Sequence, residues 1–115
     1  MKTLRHQTLA GLLLAALAGA AAGPASADEP TFRIELKDGV ITPIELEVPA
    51  NTRIRLELFN TGSSPVEFES VELKKEKVIA PGNSTVMVIR NLDPGTYAFF
   101  DDFHLDMPHA KITAK

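Results

Sequence analysis

The chain has 115 residues, 44% hydrophobic and 23% charged, with 12 Lys and Arg against 15 Asp and Glu for a net charge of −3. That length holds one domain around one core, and the charge offers no basic face to nucleic acid. The chain has no cysteine, which excludes disulfide frameworks, a disulfide-linked partner, thiolate metal sites and cysteine nucleophiles.

Met1 to Gln7 carries Lys2 and Arg5 without an acid, Leu9 to Ala22 is small and apolar, and Ala25-Ser26-Ala27 stands before Asp28. A basic start, an apolar run and small residues at a cleavage point make a secretory signal, expected to be cut after Ala27. The apolar run of about 14 residues falls short of the ~20 that a membrane-spanning helix needs. The expected organisation is a signal over 1–27 and one exported domain over 28–115. Losing Lys2 and Arg5 leaves ten bases against fifteen acids, a net charge of −5.

Phe32-Arg33-Ile34-Glu35-Leu36-Lys37 alternates apolar and charged residues, and Asp38-Gly39 closes a tight turn. The same period of two runs through Ile44 to Val48, up to Pro49, and through Arg53 to Leu58, up to Asn60-Thr61-Gly62. Val66 and Phe68 oppose Glu67 and Glu69 in parity, Val86 and Val88 follow Pro81-Gly82-Asn83, and Tyr97 and Phe99 follow Asp93-Pro94-Gly95. Ala110 to Ala114 ends the chain's pattern, and Glu72 to Lys77 has room for one helical turn. About seven short strands separated by turn signals predict an all-β antiparallel Greek-key sandwich, wet on its outer faces. Its expected core is Phe32, Ile34, Leu46, Ile54, Leu56, Phe68, Val86, Val88, Tyr97, Phe99 and Ile112.

One stretch differs from ordinary strand alternation: Asp101-Asp102-Phe103-His104-Leu105-Asp106-Met107-Pro108-His109 gathers three acids, two histidines and a methionine. It falls between two strands, hence in a loop at one end of the sandwich. Counting by twos from Tyr97 and Phe99 turns Asp101 inward, where a bare carboxylate is costly. Imidazoles and a divalent cation would meet it; loop amides capped by the carboxylate are the plainer explanation. Met107, standing before Pro108, reads as a packing side chain.

The stretch Pro94-Gly95-Thr96-Tyr97-Ala98-Phe99-Phe100-Asp101, with His104 and His109 following, resembles the C-terminal ligand loop of the cupredoxins. The resemblance sets Asp101 at that family's Cys ligand, His104 at its His and His109 at its axial Met. Asn60-Thr61-Gly62-Ser63-Ser64-Pro65 resembles the loop that carries the remaining His, but Val66 stands there, with Glu67 and Glu69 as the nearest donors. From Phe32 to Lys115 the chain is more similar still to the EfeO-type and ferrous-iron-permease-associated periplasmic cupredoxins. In that comparison Ile41 and Asp101 replace two cysteines, and the Glu67-x-Glu69 element carries over. What this implies is a cupredoxin-like domain of the periplasm, partnered by an inner-membrane iron permease and its associated periplasmic components.

The candidate ligands are then Asp101, His104 and His109 with Glu67 or Glu69, two imidazoles and one or two carboxylates. That set suits a transition metal ion, iron or copper, and equally Mn(II) or Zn(II), and does not suit blue-copper electron transfer. The expected function is binding of Fe(II), with ferroxidase-like oxidation before delivery to the permease as a further step. A periplasmic copper carrier and a metal-free interaction module are the alternatives. Ser63, Ser64, Ser70 and Ser84 lie in no nucleophile elbow, so a hydrolase is not expected.

Overall fold

The computed structural model describes residues 29–115; the expected export signal over 1–27 lies outside them. Nine strands follow in chain order: β1 (Thr31–Lys37), β2 (Val40–Thr42), β3 (Glu45–Val48), β4 (Ile54–Asn60), β5 (Val66–Ser70), β6 (Lys75–Ile79), β7 (Ser84–Ile89), β8 (Gly95–Asp101) and β9 (Ala110–Ala114). They form two sheets, one in the order β2-β1-β4-β7 and the other β3-β9-β8-β5-β6. The all-β sandwich is as expected, but the strands number nine, and the sheets are mixed: β1 pairs with β4, and β3 with β9, in parallel.

The physical reason for the mixed pairing lies at Pro43. A proline brings no N–H to a ladder, and here the chain leaves the first sheet after three residues of β2 and crosses to the second. β3 can then lie beside β9, and the returning chain lays β4 along β1. β2 is too short to announce itself by alternation, whereas β3 falls within the alternating run from Ile44 to Val48. The segment expected to hold a helical turn instead forms a tight turn and then β6, because Phe68 and Glu69 of β5 pair with Lys77 and Glu76.

Ile34, Leu36, Ile54, Leu56, Leu58, Val66, Phe68, Phe99 and Ile112 are fully buried between the sheets, with Phe68 stacked on Phe99 at 4.9 Å. Phe32, Leu46 and Tyr97 are partly buried against this core. The expectation for β7 is corrected. Val86 is 46% exposed and Val88 half-buried, while Met87 and Ile89 are buried. Leu56 lies opposite Met87 and Ile54 opposite Ile89, and residues directly opposite share a face, so the buried face of β4 dictates that of β7.

Three connections meet at one end of the sandwich: the β1–β2 turn, the β4–β5 loop and the β8–β9 loop. The turn is the expected Asp38-Gly39, both residues at positive φ (48° and 88°), as a two-residue hairpin of matching twist requires. No helix among the described residues is long and apolar enough to cross a membrane.

Candidate metal centre

β8 turns Phe99 and Asp101 inward and Phe100 outward, and this alternation divides the expected ligands into two groups. On the inner side Asp101 is 2% exposed. Its Oδ1 accepts the backbone N–H of Glu67 at 2.9 Å and of Phe103 at 3.0 Å. The Asp101 carbonyl accepts the N–H of His104, and this tight turn folds the imidazole back so that Nδ1 donates to Asp101 Oδ2 at 2.6 Å. A carboxylate oxygen accepts only, so the Nδ1 proton is assigned by the geometry and Nε2 faces outward.

His104 Nε2 lies 3.3 Å from Ser64 Oγ, in the β4–β5 loop. That loop is held from beneath by Asp38, whose Oδ1 accepts the Ser64 hydroxyl at 2.8 Å and the amides of Ser63 and Ser64 at 3.0 and 3.1 Å. These bonds, the Ser64 hydroxyl first, hold the Asp38 carboxyl below the ordinary range. Close approach at Gly39 completes the packing: a Cβ there would come within 2.8 Å of both His104 Cβ and Met107 Cγ. Both Asp101 oxygens and His104 Nδ1 therefore have partners within the protein, while Nε2 lies beside a Ser64 hydroxyl whose proton goes to Asp38.

The second group lies on the outer face of the other sheet. Val66, Phe68 and Ser70 point inward, so Glu67 and Glu69 point outward. Glu69 is opposite Glu76 on one side and Phe100 on the other. Ligand oxygens of Glu67, Glu69 and Glu76 lie within 4.8 Å of one another. Partial removal from water, followed by the neighbouring acids, raises the Glu67 and Glu69 carboxyls; Asp102 acts on both, most strongly on Glu67, and Glu76 most strongly on Glu69. Among the described residues no Lys or Arg makes an ion pair with any of these glutamates.

The five expected site residues thus do not converge. Asp101 and His104 meet inside the end of the sandwich, whereas Glu67 and Glu69 gather outside it with Glu76. His109 belongs to neither group: its ring stacks on the outward Phe100 at 4.6 Å and 17° and is exposed. The pairing of Phe99 with Ala110 extends by one residue to set His109 beside Phe100, on the face opposite Asp101. Glu76, Asp38 and Ser64 were not expected at either group. The register that pairs Glu69 with Glu76 was the missing signal for the first, and loop convergence across 26 and 40 residues for the others.

The inner group does not fit a copper–thiolate centre. Thiolate is absent from the chain, and both Asp101 oxygens are committed to amides and to His104. The outer group is an oxygen-only donor set of the kind taken by hard cations and by iron.

Two facing sheets with three loops gathered at one end define a small β-sandwich of the cupredoxin type. The model of the cupredoxin-like domain family matches residues 8–114, and the chain belongs to that family. A curated relative, an uncharacterized protein of Rickettsia prowazekii (strain Madrid E), is 40% identical over 74 residues, covering 64% of this chain and 59% of that protein. Among solved structures, a purple cupredoxin from Nitrosopumilus maritimus is 19% identical, with a TM-score of 0.55 over 72% of this chain and 98% of that one. Auracyanin from Roseiflexus castenholzii is 18% identical, with a TM-score of 0.61 over 76% and 98%. The metal binding domain of a Streptococcus pneumoniae Cu(I)-exporting P-type ATPase is 15% identical, with a TM-score of 0.58 over 74% and 84%. At these identities the solved structures speak to the fold alone.

Proposed function

We propose that this protein is a metal-binding protein of iron uptake, which holds an iron ion on the carboxylates of Glu67, Glu69 and Glu76 and passes it to an inner-membrane iron permease from the periplasm. One observation carries the choice of site. Three carboxylates stand together with, among the described residues, no basic side chain paired to them, so a bound cation would relieve the mutual repulsion that raises two of them. Oxygen donors favour iron over copper in its soft monovalent state. They also stabilise the ferric ion more than the ferrous, so the site eases loss of one electron from Fe(II) to dioxygen. The expected export signal and the resemblance of the sequence to the iron-associated cupredoxins are what support the periplasmic setting and the permease partner.

On this reading Asp101 and His104 set the backbone of β5 and β8 and leave binding to the glutamates. The test offers Fe(II) without oxygen, Fe(III) with a citrate competitor, and copper in both oxidation states to the wild type and to Glu69→Gln, Glu76→Gln and His104→Ala. Iron binding lost in the glutamine variants and kept in His104→Ala supports the proposal. Binding lost in His104→Ala and kept in the others moves the centre to the inner group, and a preference for Cu(I) makes the protein a copper carrier.

A further inference from the structure

β7 ends the first sheet, and among the described residues one of its two edges faces no strand. Asn60 N–H bonds to the Asn83 carbonyl, so the hydrogen-bonded pairs of this ladder recur at Leu58 with Thr85, Leu56 with Met87 and Ile54 with Ile89. The N–H and C=O groups of Val86 and Val88 therefore point away from β4. Among the described residues none of these four groups bonds to backbone or side chain outside the ladder.

The other three sheet edges are protected in the ways that natural sheets use. β2 has three residues and is followed by Pro43, β3 carries Glu45 and Glu47, and β6 carries Lys75, Glu76 and Lys77. β7 reads Ser84-Thr85-Val86-Met87-Val88-Ile89, with no charge and no proline, and Val86 is 46% exposed. A groove bordered by Leu73 and Lys75 runs beside it.

We infer that β7 pairs antiparallel with β7 of a second copy of this chain, about a two-fold axis at Met87, joining two four-stranded sheets into one of eight. In this register the free groups satisfy each other: Val86 of each copy exchanges both hydrogen bonds with Val88 of the other. It also ends each row in unlike charges, about 14 Å apart, where an axis at Val86 or at Val88 would end it in like ones. Glu57 neighbours Val86 and Arg55 neighbours Val88 on the outer face, so each Val86–Val88 pair is flanked by Glu57 from one copy and Arg55 from the other. Arg90 falls opposite Ser84, so no like charges meet. A lone partner strand could use the edge hydrogen bonds but would bring no such matched row. The contact is one strand wide, well below the ~1,600 Å² of a standard stable interface, so the dimer forms at micromolar or higher concentration.

The test uses the natural chain, untagged, with whatever N-terminal processing its host carries out. Sedimentation equilibrium over about 5–500 μM is expected to show reversible monomer and dimer, an edge contact of this size being weak. Val86→Lys puts on the free edge the kind of charge by which natural sheets block strand addition, and should weaken dimerisation about tenfold or more while leaving the circular dichroism spectrum unchanged. Because the chain has no other cysteine, single cysteines at 85 through 89 give an independent reading. Met87 would face its own copy at a Cα distance of about 4.5 Å, within disulfide reach, so cross-linking should peak at Met87→Cys and fall at Val86→Cys and Val88→Cys. A monomer throughout the range, a dimer indifferent to Val86→Lys, a cross-linking maximum elsewhere or a complex with a different protein would each overturn the inference. None of these results bears on iron binding by the glutamates.

Discussion

Replacing Asp101 by Ala removes three hydrogen bonds at once: those from the amides of Glu67 and Phe103 and that from His104 Nδ1. Each bond to a charged acceptor contributes about 1.5–3 kcal/mol, and an amide left unsatisfied in a shielded place costs about 1–3 kcal/mol. The contributions do not add in full, because Phe103 is exposed and its amide recovers water, whereas Glu67 lies in β5, an inner strand of its sheet. The expected loss is about 3–5 kcal/mol, a large part of the ~5–15 kcal/mol of a small domain. Asp101→Asn keeps one oxygen for both amides and turns its NH2 toward His104, which can answer by moving its proton to Nε2; about 1–2 kcal/mol is expected. Urea unfolding, with the slope m unchanged between variants, measures both. A loss below about 0.5 kcal/mol for the alanine variant, typical of a surface site, would refute the capping argument. Equal losses for alanine and asparagine would mean that the negative charge matters and the amides do not.

Gly39→Ala should cost about 2–4 kcal/mol, from the left-handed backbone and from a Cβ forced into His104 and Met107, whereas Gly82→Ala, at φ 75° with open space around it, should cost only about 1–2 kcal/mol; thermal unfolding separates the two. Met87→Ala should destabilise by about 2–5 kcal/mol and Val86→Ala by well under that, the reverse of what alternation from Val86 implies, as equilibrium unfolding will show. The folded-state carboxyls of Glu67 and Glu69 are raised, so the folded chain holds their protons more tightly than the unfolded one. Their contribution to stability is fully present below about pH 4.5 and is lost as pH rises through the raised values. A bound cation removes that loss, so the rise in Tm on adding Mn(II) as a redox-stable substitute for Fe(II) should be larger at pH 7 than at pH 4 and absent in the Glu69→Gln, Glu76→Gln double variant. Asp38 runs the other way: its lowered carboxyl stabilises the fold above about pH 3.9, and that stability is lost as pH falls through the depressed value, a loss Asp38→Asn should abolish in acid titrations of unfolding.

Alternation alone revealed most strands, the Asp38-Gly39 turn and the inward parity of Phe68, Phe99 and Asp101, because each is a property of a few neighbouring residues. It failed for β7, where apolar residues occupy both faces from Val86 to Ile89 and the parity cannot be read locally. Charged β6 escaped notice for a similar reason, since an edge strand needs no apolar face. The parallel pairings had no local mark either.

The site divides along the same line. That Asp101 needs a partner, and that His104 three residues later can be that partner, follows from inward parity and one tight turn. Whether His109 joins them depends on how β9 is set against β8, and whether Glu67 and Glu69 act with Asp101 or apart from it depends on which side of β5 faces the core. The sequence by itself determined the donors available: oxygen and imidazole, with no sulfur anion. Only the tertiary structure decided their grouping, because a sheet places side chains one residue apart on opposite faces and brings together residues whose distance in the chain says nothing of their distance in space.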